Sequence, residues 1–181
     1  MPTAGHSELK RPYGGVSATE RVSARRERLI AAGLECYGTR GYGPTGVKQV
    51  CAAAGLTHRY FYESFTDPEA HFLAVFDAVT DELFASVAVA VSTVQPLPEA
   101  QLRAAIGTFL EALADDPRKA RLIFSEAAAA GTRAEEHMRA TLRRFTDLVA
   151  MTARPHLPSR APDDMVRVVA LSLVGTLEQV V

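Results

Sequence analysis

The 181 residues predict an all-α protein. Three observations carry that prediction. Apolar residues recur at three- and four-residue spacing through most of the chain, the period of a helix with one buried face. Helix punctuation separates these runs: Asp67-Pro68 and Asp116-Pro117 are cap-then-proline starts, and Gly41, Gly55 and Gly131 stand where runs stop. No segment shows the strict alternation of a half-buried strand.

Residues 1–16 are rich in Gly, Pro, Ser and Thr and predict a flexible arm. Lys10 and Arg11 make it either a plain tail or a basic arm able to reach a polyanion. Ser17 and Glu20 have capping-box spacing and open a helix that runs to about Arg40. Its inner stripe is Leu29, Ala32, Gly33, Cys36 and Tyr37, which leaves Arg21, Arg25, Arg26 and Arg28 outside or facing a polyanion such as DNA. Thr45 is placed to cap a second helix over about 46–54, with Val47, Val50, Cys51 and Ala54 on one face. Gly55 suits a left-handed stop, Leu56 plugs the turn, and Thr57 caps a third helix over about 57–64. Phe61 and Phe65 point inward from it, so Thr57, His58, Arg59, Tyr60 and Tyr62 line its other faces. Helix, glycine turn and helix with a polar and aromatic outer face is the helix-turn-helix pattern. Its second helix is sized for a major groove about 12 Å wide.

Asp67, Pro68 and Glu69 then open a long helix over about 68–94, with Phe72, Val75, Phe76, Val79, Leu83, Val87, Ala90, Val91 and Val94 inward. Pro96 and Pro98 end it. A helix over about 98–114 turns Leu102, Ile106, Phe109, Leu110 and Leu113 inward. The next, to about Ala130, carries Leu122, Ile123 and Phe124; another over about 133–153 carries Met138, Leu142, Phe145, Val149 and Thr152 on one side. A last helix begins near Asp163 and reads apolar through Leu173 and Leu177 to Val181 without a stop signal, which predicts a chain that continues further.

Charge divides unevenly. Residues 1–66 hold nine Lys and Arg against five Asp and Glu, whereas residues 67–181 hold eleven against sixteen. A basic head on an acidic body follows, despite an overall charge of −1. Cys36 and Cys51 lie on apolar helix faces and read as buried thiols, with no spacing suited to a metal. The five histidines and the adjacent carboxylate pairs show no catalytic grouping, so neither an enzyme nor a cofactor is expected. Gly41, Gly46 and Lys48 mimic a phosphate-binding loop only superficially, because no strand precedes them and Gln49 stands where a hydroxyl is needed. The chain has no apolar leader and no run of membrane-spanning length, so the expected setting is cytoplasmic, off the membrane.

The stretch GYGPTGVKQVCAAAGLTHRYFYESFTDPE, Gly41 to Glu69, closely resembles the DNA-binding domain of the TetR (tetracycline-repressor) family, and the likeness extends over Leu29 to Phe76. It departs at Gly46, Tyr60, Ser64 and Pro68, the last standing where the family typically has a phosphate-contacting lysine. The resemblance implies a head at 17–66 and a helical effector-binding and dimerisation body at 67–181. It implies a homodimer on a palindromic DNA operator, acting as a repressor released by a small molecule. Expected DNA contacts are Thr45, Lys48, Thr57, His58, Arg59, Tyr60 and Tyr62. Convergent large side chains predict an apolar cavity near Phe109, Phe124 and Phe145, and Glu126, beside Ser125 in an apolar helix, reads as a ligand anchor, an internal cap or a dimer contact. Leu173 and Leu177 are expected in the dimer interface. The competing reading is a helical ligand-binding or catalytic bundle with a vestigial helix-turn-helix, for which Gly46 and Pro68 speak.

Overall fold

The computed structural model describes residues 17–157, 162–164, 166, 168 and 170–172. The expected arm, Lys10, Arg11, Leu173 and Leu177 lie outside the described residues. Helices α1 (Ala18–Arg40), α2 (Val47–Ala54) and α3 (His58–Ser64) form the head. Helix α4 (Pro68–Thr93) leads from it into a body of α5 (Pro98–Asp115), α6 and α7 (Thr132–Ala153). Helix α6 begins at Pro117–Arg121, passes through a π-helical turn at Leu122–Glu126 and ends at Ala127–Ala129. Asp163, Asp164, Val166, Val168, Ala170, Leu171 and Ser172 are again helical, and no strand occurs among the described residues.

Local chemistry explains the boundaries. Ser17 Oγ accepts the Glu20 N–H at 3.1 Å, and the Glu20 carboxylate accepts the Ser17 N–H at 2.6 Å. Asp67 accepts the Ala70 N–H at 2.7 Å ahead of Pro68. Gly55 ends α2 in the left-handed region at φ 62°, where a side chain would be strained. Two expected caps are corrected. The N-cap of α2 is Gly46, whose N–H is accepted by Gln49 at 3.2 Å; Thr45 is buried and donates its hydroxyl to the Gly41 carbonyl at 2.7 Å. Thr57 occupies the N-cap of α3 without a side-chain bond.

Head and body share one core. Leu29, Cys36, Tyr37, Val50, Phe61, Phe72 and Val75 join Leu83, Leu113, Leu122, Ala127 and Ala134 in a continuous buried cluster. Each fully buried Val, Leu or Phe side chain among them is worth roughly 1.5–3 kcal/mol. The two cysteines are free and buried, as their helix faces predict, and burial pushes the Cys51 thiol up. The inward stripe of α5 is a further correction: only Leu113 is buried, while Leu102 and Leu110 are exposed. One side of α5 faces a cavity rather than filled core.

Helix α1 meets α4 at Gly33. A Cβ there would lie 2.5 Å from Val75 Cγ2 and 2.6 Å from His71 Cε1, so no larger residue fits. His71 is completely buried at this crossing. Its Nε2 lies 2.9 Å from the Leu29 carbonyl, which can only accept, so Nε2 carries the proton. Nδ1 therefore accepts the Tyr37 hydroxyl at 2.8 Å. The rings of Phe61 on α3 and of Phe65 just beyond its end flank the imidazole at 5.1 and 4.7 Å. Desolvation among them lowers the His71 pKa to about 4 and pushes the Tyr37 phenol up.

A folded pKa below the unfolded value of 6.5 means that, between about pH 6.5 and 4, only the unfolded chain binds this proton. Stability is then present above pH 6.5 and lost as pH falls through the window, by about 3 kcal/mol from this group. The His71→Phe variant should be weaker than wild type at pH 7.5 by about 1–3 kcal/mol, because the Tyr37 hydroxyl loses its acceptor. That gap should close towards pH 4.5, as read from urea unfolding midpoints; a gap independent of pH would refute the neutral buried histidine.

Candidate nucleic-acid interface and ligand cavity

The outer face of the head is built by α2 and α3. Lys48 on α2 and Thr57, His58, Arg59 and Tyr62 on α3 are all exposed. They share one face because the apolar sides of both helices are spent on Val50, Cys51, Ala54 and Phe61. Arg59 is bonded through Nε to Glu63 at 2.8 Å, one turn along. An exposed pair of this kind is worth little, so a stronger acceptor can displace it.

Two expected contacts sit differently. Tyr60 is half-buried, and the Arg25 guanidinium lies 4.5 Å over its ring. Thr45 is buried, and its hydroxyl bond to Gly41 braces the turn between α1 and α2, so its place in the structure is internal. The arginines of α1 also act inward. Arg26 lies 4.8 Å over the Phe65 ring, and Arg28 donates to the Ala54 carbonyl at 2.6 Å, capping the C-terminus of α2. Periodicity placed them on the outer face of α1, where the neighbouring helices of the head are packed.

Within the body, Phe109, Phe124 and Phe145 converge as expected on one cavity of about 970 Å³, its open mouth included. Phe76, Thr80 and Leu83 of α4, Ile123 of α6 and Met138, Thr141 and Leu142 of α7 complete most of its wall. The Met138, Leu142, Phe145, Val149 stripe that periodicity puts on one side of α7 is cavity wall. No charged side chain lines the cavity among the described residues. A ligand there presents hydrocarbon to the wall and keeps any charge outside.

Glu126 is not part of that wall, which corrects its reading as a ligand anchor. Residues two apart on a helix face nearly opposite sides; with Phe124 in the cavity, Glu126 faces the head. Its buried carboxylate accepts the Tyr42 N–H at 2.7 Å and Arg121 Nε at 3.0 Å, and Arg121 donates in turn to the Thr39 carbonyl at 2.7 Å. The π-helical turn thus presents Ile123 and Phe124 to the cavity and Glu126 to the loop ahead of α2. Such turns are frequent at functional sites. Nearby, Arg118 joins Glu35 of α1 at 2.5 Å, and α1 approaches so closely that a Cβ on Gly38 would lie 2.4 Å from Arg118 Cβ. At the other end of the head, Arg133 of α7 reaches Asp67 and Glu69, both at 3.5 Å, where α3 hands over to α4.

Sequence reasoning missed His71, Arg28, Arg121 and Gln49. Only Gln49 carried a usable local signal, three residues after a glycine at a helix start. The described residues contain no cluster of three His, Cys, Asp or Glu able to hold a metal. No described helix is long and apolar enough to cross a membrane.

Residues 29–75 match the model of bacterial regulatory proteins of the tetR family. Residues 98–180 match the C-terminal domain of the HTH-type transcriptional dual regulator CecR. The chain is 32% identical over 124 residues to the HTH-type transcriptional activator FasR of Mycolicibacterium smegmatis. That match takes in 67% of this chain and 56% of FasR, so the chain spans little more than half of that relative. The fatty acid degradation regulator FadR from Bacillus halodurans superposes with a TM-score of 0.75 at 17% identity, over 86% of this chain and 81% of that one. FadR from Bacillus subtilis, in complex with stearoyl-CoA, superposes with a TM-score of 0.72 at 13% identity over 84% of each chain. These structural likenesses are of fold. Head and body each match a regulator model, and the chain belongs to the TetR family of transcriptional regulators.

Proposed function

We propose that this chain binds a palindromic DNA operator as a homodimer and is released when an acyl-coenzyme A thioester fills the body cavity. The head at 17–66 reads the duplex and the body at 67–181 senses the ligand, in the cytoplasm. The observation that carries the proposal is the π-helical turn of α6, whose Ile123 and Phe124 line the cavity while Glu126 holds the Tyr42 N–H of the head. A ligand against Phe124 shifts that turn, and Glu126 and Arg121 carry the shift to the loop that positions α2. Release follows only if the ligand prefers the displaced arrangement. The ligand class is supported by the uncharged wall and by the stearoyl-CoA bound to the Bacillus subtilis FadR.

Lys48, near the N-terminus of α2, is proposed to meet phosphate, and Thr57, His58, Arg59 and Tyr62 to face the groove, with Tyr60 beside them at the edge. Thr45 supports this surface from beneath. Exposed Met151, Val168 and Leu171 support a contact with a second subunit, in which Leu173 and Leu177 would join. The resemblance implied repression, yet FasR is named an activator and CecR a dual regulator. The same ligand-released binding serves either sign, according to where the operator lies relative to the promoter.

Selection from random duplexes should return a palindrome whose binding falls steeply with salt and is reversed by an acyl-coenzyme A thioester. Ligand binding without duplex binding, even at low salt, would select the vestigial-head alternative that Pro68 favours. On the selected duplex, Arg59→Ala should relax preference at one position per half-site by roughly 1–3 kcal/mol. Lys48→Ala should weaken all duplexes about equally and flatten the salt slope by about one unit per lost contact. The reverse pattern would exchange their roles. Glu126→Gln should still bind both duplex and ligand, but the change in duplex affinity on adding ligand, expected at about 5- to 150-fold in wild type, should shrink towards one. Unchanged coupling in that variant would rule out the α6 route.

A further inference from the structure

A second apolar cavity, of about 640 Å³ with its mouth, adjoins the first. It is lined by Val91 of α4, Pro98 and Gln101 of α5, and Leu148, Thr152 and Ala153 of α7. The two cavities have Val87, Leu102, Ala105, Phe145 and Val149 in common, so these residues form the neck between them. Phe145 is the largest of the five. Its ring is held edge-on to Phe84 of α4 at 5.5 Å and to Phe109 of α5 at 6.3 Å, so it stands between the two helices that wall both chambers.

We propose that Phe145 is the gate between two chambers and sets the length of hydrocarbon chain this protein accepts. The inference rests on the acyl-ligand reading above and adds the specificity-determining residue. Along α4, the stretch from Phe76 to Val87 beside the first chamber rises about 16 Å, and Val87 to Val91 beside the second adds about 6 Å. Neither chamber has a charged wall among the described residues, so only the hydrocarbon part of a ligand enters, and its charged head stays at a mouth. Whichever mouth holds the head group, a chain longer than one chamber has to pass the Phe145 ring. A chain that fits one chamber gains affinity with each buried methylene. Beyond that length, further methylenes gain nothing unless the ring moves out of its contacts with Phe84 and Phe109. Ala105 faces Phe145 across the same neck as a small residue, so the opening can be widened from one side and narrowed from the other.

The test is a calorimetric titration of the full chain with a series of straight-chain saturated acyl-coenzyme A thioesters of increasing length. Wild-type affinity should rise about fourfold per added methylene and then level off at a definite length. Phe145→Ala should move that levelling point to longer chains, whatever it does to affinity at a given length. Ala105→Phe, which fills the neck without removing a core side chain, should move it to shorter ones. If wild type and both variants level off at the same length, the ring is not the gate, although acyl binding stands. If no thioester of any length binds wild type, both the gate and the acyl reading are overturned.

Discussion

The rest of the structure depends on the crossing of α1 over α4 at Gly33. With no side chain on α1 at that point, Val75 and the His71 ring occupy the space a Cβ would need. His71 then bonds the Leu29 carbonyl and the Tyr37 hydroxyl, both on α1, while α3 closes over it with Phe61 and Phe65. Three helices are tied through one uncharged imidazole. The inclination of α4 and the tilt of the outer face of α3 are therefore set by the same packing, and a movement of either is felt by the other.

Polar contacts between body and head follow a different logic from this apolar crossing. Glu126 and Arg121 hold the end of α1 and the start of the next loop, and Arg118 with Glu35 strengthens that side. Arg133 holds the start of α4 from α7. Most of these are half-exposed ion pairs, individually weak and open to exchange with water. The Glu126 bond to Tyr42 stands apart because its carboxylate is buried, so its loss would leave a desolvated charge. Any displacement of body against head therefore has to break this bond and slide the apolar core the two share.

The body achieves its cavity by withholding packing. α5 buries only Leu113 fully, and the apolar stripe of α7 is only partly buried. Empty volume of this kind forfeits dispersion contacts and lowers stability. The continuous buried cluster of α1, α4 and α6 offsets that loss. Apolar side chains that would fill a core in another helical protein here line a cavity.

Helix order, most helix boundaries and the helix-turn-helix were determined by the sequence alone, because they rest on local chemistry. The Ser17–Glu20 box, the Asp67-Pro68 start and the left-handed stop at Gly55 each lie within a turn of the bonds they control. The exposed positions of Lys48, His58, Arg59 and Tyr62 also follow from a period of 3.6 residues, once Phe61 and Val50 are taken as buried. Tertiary structure alone decided how far each apolar stripe is covered: periodicity turned Leu102 and Leu110 of α5 inward with Leu113, and only Leu113 is buried. It alone brought His71 to Tyr37, Arg28 to Ala54 and Glu126 to Tyr42, across separations of 34, 26 and 84 residues. A buried polar group takes whatever partner the fold delivers, and periodicity reports the face a residue occupies, not the helix that will cover it.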